Sequence, residues 1–351
     1  MTTLSPPDTA PAVPSPRWLL RLHRPALYVW LGTVVVLAAG LLWLWGPLTD
    51  ASAAAWRQYR TDCGDGATCT YDQNAIVRYK SVYNYTTLAL TALPFVVAAW
   101  AGAALFGREL EQGTAHLAWT QGLSPTRWLA TKLAVPAALV ATGTGLLVTL
   151  HRLMWAAGDG RIDTAKPWHD NLTLHTNGPT TVAFALTGLA AGALAGLLLR
   201  RTLPALMLAL GAVAAVRVLA AQALPHLWPG VTKISGLRTG PNGAGLEFDS
   251  GLVTSDGAHI PDPGCGVVLA AHDACDTLYA KLDATGFYAT YHPESHYWAL
   301  QLTTTALVLA VAAALTVAAF TLLRRSTATP TNTAAPLTRT PAAPAAQEAA
   351  V

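Results

Sequence analysis

The residue types best suited to chemistry cluster between two apolar runs, in the stretch from Gly107 to Leu133. Arg108, Glu109 and Glu111 open it, Gly113 and Thr114 follow, and Ser124-Pro125 marks a break before Arg127 and Lys132. Acids at the start of a short helix are favoured by the positive end of its macrodipole. Acids on an exposed element are also the groups that meet a basic face on another protein. Leu110, Leu117 and Trp119 are apolar points on this otherwise polar segment. Other candidate sets are weaker. His169, Asp170 and His175, and His272 with Asp273, have ligand-type side chains, but their spacing matches no metal signature. No GxSxG elbow and no GxxxxGK[ST] phosphate loop occurs, and the glycines of 240–245 lack a strand–turn–helix setting. The reading is a chain with no catalytic residues and no metal.

Four cysteines remain: Cys63, Cys69, Cys265 and Cys275. Three pairings are open, and the local pairs Cys63–Cys69 and Cys265–Cys275 are preferred over zinc, since neither has CxxC spacing. Arg217 is a lone charge inside an apolar run, with Gln222 a little further on. A charge at that depth faces a cavity or a partner, so both are candidates for a pathway lining. Gly188, Gly192 and Gly196 form two overlapping GxxxG steps, a groove for the close approach of another helix.

The elements that must position these residues follow from composition. Of 351 residues, 52% are hydrophobic and 12% charged, with mean hydropathy +0.36. Soluble domains carry about 25% charged residues, so a water-soluble fold is excluded, and a net charge of +3 gives no case for nucleic acid. About 20 apolar residues span a bilayer as a helix. Six stretches qualify: 27–48, 87–107, 129–150, 180–199, 203–223 and 300–323, with Lys132 read as interfacial. The fold class expected is an all-α membrane protein of six transmembrane helices (17–325). It has outer loops at 49–86, 151–179 and 224–299.

Basic residues orient it. Arg17, Arg21 and Arg24, then Arg108, Arg127 and Lys132, then Arg200-Arg201, then Arg324-Arg325 alternate with the loops. By the positive-inside rule both termini are cytoplasmic. That layout puts 11 basic and 4 acidic residues inside against 10 basic and 15 acidic outside, Arg217 aside. All four cysteines fall on the oxidising side, where disulfides persist. The expected location is the plasma membrane, multi-pass. Span one, at 22 residues, exceeds a signal-peptide core of about 7–15. Residues 1–16 and 326–351 read as disordered cytoplasmic tails, and residues 16–24 read as a short interfacial helix. The aromatic-rich Gly286–Trp298 stretch reads as an interfacial belt.

With Arg108, Glu109, Glu111, Gly113, Thr114, Ser124, Arg127 and Lys132 in this order after the second span, the chain resembles the type 2 ABC exporter permeases, especially actinobacterial ones. Pro125 in the turn and the length of 49–86 depart from the pattern. The resemblance implies that 108–127 is a cytoplasmic coupling helix docking on a separate ABC-type ATPase subunit. It implies a second permease subunit in a homo- or heterodimer, and no cofactor in this chain, ATP and Mg being bound by the partner. Glu109 and Glu111 would meet basic residues of the ATPase. Two other readings stand beside it. A non-transporting sensor or immunity-type protein would bind a ligand through the outer loops, but has no need of a coupling segment. An intramembrane enzyme would need paired acids or histidines within spans.

Overall fold

In hydrocarbon a backbone can satisfy its polar groups within one segment only as a helix, and the apolar runs of this chain all do so. The computed structural model describes residues 24–63, 69–120, 123–240, 243–264 and 272–328. Among them six helices are long and apolar enough to cross a membrane. They are Arg24–Asp62, Gln73–Glu111, Pro125–Gly158, Thr180–Leu199, Thr202–His226 and Glu294–Thr327, called spans one to six. The chain is a mainly α-helical membrane protein. The interfacial helix expected over 16–24 lies outside the described residues except Arg24, as do the N-terminal tail and residues 329–351.

Span four is the hub: 72% of its apolar window is buried, against 11% for span one. Its glycines explain why. A Cβ added at Gly188 would stand 2.5 Å from the Pro94 carbonyl oxygen, one at Gly192 2.5 Å from the Ala101 Cβ, and one at Gly196 2.5 Å from the Phe106 Cβ. The stripe thus lets span two lie against span four at backbone distance. Its contact is within the bundle.

Spans four and five are joined by two residues. Arg200 takes a left-handed conformation (φ 51°) and Arg201 an extended one, turning the chain straight back.

The segment expected as a loop over 49–86 is instead largely helical. Span one comprises α1 (Arg24–Trp43), a π turn (Leu44–Leu48) and α2 (Thr49–Asp62). Pro47 lacks the N–H that a regular ladder needs, and the ladder widens there, with the Thr49 N–H reaching the Leu44 carbonyl. Span two begins at Gln73, capped by Asp72, whose carboxylate accepts from the Ala75 N–H at 3.0 Å. The hairpin between is closed by the Cys63–Cys69 disulfide. Of the second expected pair, Cys265 lies outside the described residues. The ion pairs Arg60–Asp163 (2.6 Å) and Arg161–Asp50 (2.8 Å) tie the hairpin to the segment after span three.

Between spans three and four a short helix (Asn171–Thr176), capped by Asp170, is sunk into the bundle end, with Thr173 to Asn177 all at most 2% exposed. Several of its buried polar groups are answered by the spans. The Tyr83 and Thr173 hydroxyls lie 2.7 Å apart, and the Tyr297 hydroxyl donates to the Asn177 carbonyl at 2.7 Å. His151 sits between Asn177 Oδ1 (2.5 Å) and the Thr87 hydroxyl (2.8 Å).

The remaining segment forms a four-stranded antiparallel sheet of order β1-β4-β2-β3. Its strands are β1 (Val231–Gly236), β2 (Leu246–Thr254), β3 (His259–Ile260) and β4 (Ala284–His292). Leu252, Tyr279 and Phe287 form its core. This corrects the reading of 286–298 as a belt: Phe287 and Tyr288 are buried strand residues, and the aromatic pair flanking Arg152 is Tyr297 and Trp298 at the head of span six.

Candidate functional site

The connection between spans two and three is built from short pieces. Span two widens into a second π turn (Ala101–Gly107) and ends as the single turn Arg108–Glu111. Gly113 follows with φ +72°, a left-handed conformation that a side chain disfavours. The helix Thr114–Thr120 comes next, and Ser124 then caps span three, its hydroxyl accepting from the Arg127 N–H at 3.4 Å with Pro125 in the first turn.

Both acids are engaged within the chain. Glu109 forms an ion pair with Lys132, whose side chain is 2% exposed. The Lys132 ammonium also donates to the Leu105 carbonyl at 3.3 Å and lies 5.1 Å from the Trp128 ring centre. Lys132 is therefore buried within the protein, near the start of span three. Its three donors meet a carboxylate and a carbonyl that the π turn presents, which is how a buried ammonium becomes tolerable.

Glu111 reaches the opposite way. One of its carboxylate oxygens accepts from the backbone N–H of Thr202 at 2.9 Å and from the Thr202 hydroxyl at 2.5 Å. Those donors are at the first turn of span five, where N–H groups have no partner inside their own helix. Arg201, the residue before that helix, offers no side-chain cap. Glu111 is thus a cap supplied from another helix, favoured further by the macrodipole of span five. Close packing supports it, since a Cβ on Gly107 would come within 3.1 Å of the Thr202 Cα, and one on Gly102 within 2.9 Å of the Ala205 carbonyl.

An aromatic cluster seats the connection on the bundle. Trp128 meets Phe106 (5.8 Å between ring centres) and Trp119 (5.7 Å), each edge to face. Ala115 is fully buried, and Leu110, Ala118 and Trp119 pack on the same cluster. Leu117 faces the other way, 60% exposed, with Gln112, Thr114, His116 and Thr120 also exposed. Arg108 and Arg127 are exposed at either end.

The residues singled out by sequence are thus drawn together at one end of the bundle, but differently from the expectation. Glu109 and Glu111 hold the connection to spans three and five, and the outward face is made by shorter, mostly neutral groups around Leu117. Thr202 was missed entirely. Nothing in its sequence neighbourhood marks it, apart from the small polar residue at a helix start that fits a cap. Arg217 and Gln222 lie on span five, far along the helix from this site. The Arg217 guanidinium sits 5.6 Å from the Phe184 ring centre, and Gln222 is exposed. Among the described residues there is no cluster of three or more metal-ligating side chains.

Residues 31–224 match the family model described as ABC-2 membrane transporter related. No curated protein and no solved structure matches the chain.

Proposed function

The chain belongs to the ABC-2 membrane transporter related family, and on that premise we propose that it is the membrane-spanning permease subunit of an ATP-driven exporter. The connection after span two is the coupling element, facing the cytoplasm with both termini, and a separate ABC-type ATPase subunit docks on it. A second permease subunit completes the translocation pathway in the plasma membrane. ATP and Mg belong to the ATPase subunit, since no phosphate loop occurs in this sequence.

The single observation that carries this reading is the double attachment of the connection. Glu109 fastens it to span three through Lys132, and Glu111 fastens it to span five through Thr202. A sensor that only binds a ligand on the opposite side gains nothing from a surface element tied to two additional helices. A lever does, because a displacement applied at Leu117 is delivered to spans two, three and five together. The switch is then driven by the different affinity of the two permease states for the closed ATPase pair.

Docking is tested at Leu117, whose exposure makes substitution harmless to the fold. Leu117→Asp is expected to lose the co-purifying ATPase subunit, with affinity falling at least roughly thirtyfold, as for a hot-spot residue worth about 2 kcal/mol. If Leu117→Asp retains the ATPase subunit and exports at the wild-type rate, the outward face of the connection is not the docking surface.

A further inference from the structure

Span five carries a positive charge that has no ion-pair partner among the described residues. Arg217 lies roughly 13 Å along the helix axis from His226, the end of that span. Among the described residues its guanidinium forms no ion pair and no hydrogen bond; its contact is with the face of Phe184 on span four. No acid occurs in the sequence between Asp170, which caps the short helix and pairs with Lys166, and Glu247. None occurs from Gln73 to Arg108, from Gln112 to Gly158, or from Ser295 to Arg325 either. A second copy of this chain has the same acid-free stretches, so the corresponding part of a partner's bundle would bring a second cation and no anion.

A charge at membrane depth is retained where it meets a partner, and a second group marks where that partner sits. His175, from the short helix sunk into the bundle, is 1% exposed and packs its ring on the same Phe184, 5.9 Å between centres. Its Nδ1 is buried without a hydrogen-bond partner. Buried polar atoms in native folds are almost always satisfied. Burial, and secondly the charge of Arg217, push its pKa down to about 4, so the ring is neutral at physiological pH and can offer one N–H.

We propose that Arg217, with His175 beside it, binds the anionic group (phosphate or carboxylate) of an amphiphile whose apolar body lies along span five. The guanidinium presents a planar fork of donors suited to either oxyanion. The faces that would meet the apolar body are already apolar and outward, with Val218 and Leu219 being 55% and 63% exposed. Cargo and bilayer lipid share this chemistry. The inference rests on the exporter reading only for which of the two supplies the anion, and its binding test needs no ATPase.

Dodecyl phosphate is titrated into the purified full chain in maltoside micelles and followed calorimetrically. Dodecylphosphocholine serves as the comparison without net charge. Arg217→Gln is expected to weaken dodecyl phosphate about tenfold or more, the effect of losing a charge-assisted hydrogen bond, and to leave the zwitterion unchanged. In the absence of any anionic amphiphile, Arg217→Gln is expected to melt no lower than wild type, since it removes an uncompensated charge. Equal affinity of wild type and Arg217→Gln for dodecyl phosphate would overturn the proposal, as would a clear fall in the melting temperature of Arg217→Gln without ligand. Stimulation of ATP hydrolysis by dodecyl phosphate in the assembled complex would assign the anion to cargo. An anionic phospholipid retained through purification by wild type but not by Arg217→Gln would assign it to the bilayer. Either source supports the site.

Discussion

Removing one member of the Glu109–Lys132 pair should cost far more than removing both. Lys132 is 2% exposed at its side chain and Glu109 20%, so the ammonium is the fully desolvated member. Glu109→Leu leaves that ammonium with the Leu105 carbonyl and the Trp128 ring face. Breaking a buried pair costs about 3–5 kcal/mol, and the partial exposure of Glu109 places this case at the lower end, about 3 kcal/mol. Lys132→Met leaves a carboxylate that water can still reach, so it should cost less, about 1–2 kcal/mol. The double variant replaces an ion pair with apolar groups of similar length and should return to within about 1 kcal/mol of wild type. The measurement is a double-mutant cycle on the purified chain, unfolded reversibly in mixed micelles with rising denaturing detergent. A coupling energy of about 3–5 kcal/mol, the two single losses less that of the double variant, is the expected outcome. Additive single effects, or a Glu109→Leu variant within about 0.5 kcal/mol of wild type, would refute the idea that a desolvated pair holds the connection. The double variant also separates stability from function. It should fold and bind the ATPase subunit, yet export poorly, because the link between connection and span three has lost its charge-assisted hydrogen bonding.

Two further outcomes follow from the packing. Gly192→Leu should destabilise by about 1–3 kcal/mol or more through overpacking, since even a Cβ there would stand 2.6 Å from the Gly102 backbone nitrogen; thermal melting of the purified chain checks it, and an unchanged melting temperature would show that spans two and four are not in backbone contact. Stability should also fall on acidification between pH 6.5 and 4. Over that window the unfolded chain takes up a proton that native His175, depressed to about 4 by burial and by Arg217, does not. The loss at the acid end is about 3 kcal/mol for 2.5 pH units. His175→Gln should flatten that slope; a slope identical to wild type would mean that the imidazole is not held neutral in the fold.

How much of this was legible in the sequence depends on the kind of signal. The spans were, because lipid leaves an apolar run of twenty residues only one conformation. The Gly188–Gly192–Gly196 stripe was too, since small residues four apart have one geometric consequence whatever they pack on. The helical extension Thr49–Asp62 was not. Its composition is polar, and the alanines that favour helix there were outweighed by the assumption that a span stops where hydrophobicity stops. The strands were hidden for a related reason: β1, Val231–Gly236, is almost wholly exposed, so it carries no alternation of buried and exposed residues to read. Within the site, Glu109 and Glu111 were conspicuous as residues but not as partners. Lys132 and Thr202 lie one span and three spans away in the chain. An ion pair between helices leaves no period in either sequence, so only the folded bundle brings them together.

The arrangement of these ties bears on how force would travel. The connection touches span two covalently, span three both covalently and through Lys132, and span five through Thr202. Span four is not tied to it by any charge, but its three glycines lie against span two over Pro94 to Phe106, the stretch that leads directly into the connection. Packed interiors transmit displacement because they are dense and have few voids. Span two therefore cannot slide against span four at Gly192 without driving Ala101 into it. Spans two to five should then shift as one block when the connection moves. Span six is hydrogen-bonded to span four, the Thr180 hydroxyl donating to the Gln301 side chain and the Thr187 hydroxyl to the Val308 carbonyl, so it goes with the block; span one, whose apolar window is 11% buried, has most of its surface outside it. The seam at which the subunit changes shape is thus expected on the face of span one. Cross-linking makes this decidable: cysteines at Ala98 and Ala195, two residues of the buried cluster where spans two and four meet span five, joined by a short thiol-reactive spacer, should leave export intact. If that cross-link stops export, spans two and four move against each other and the block does not exist.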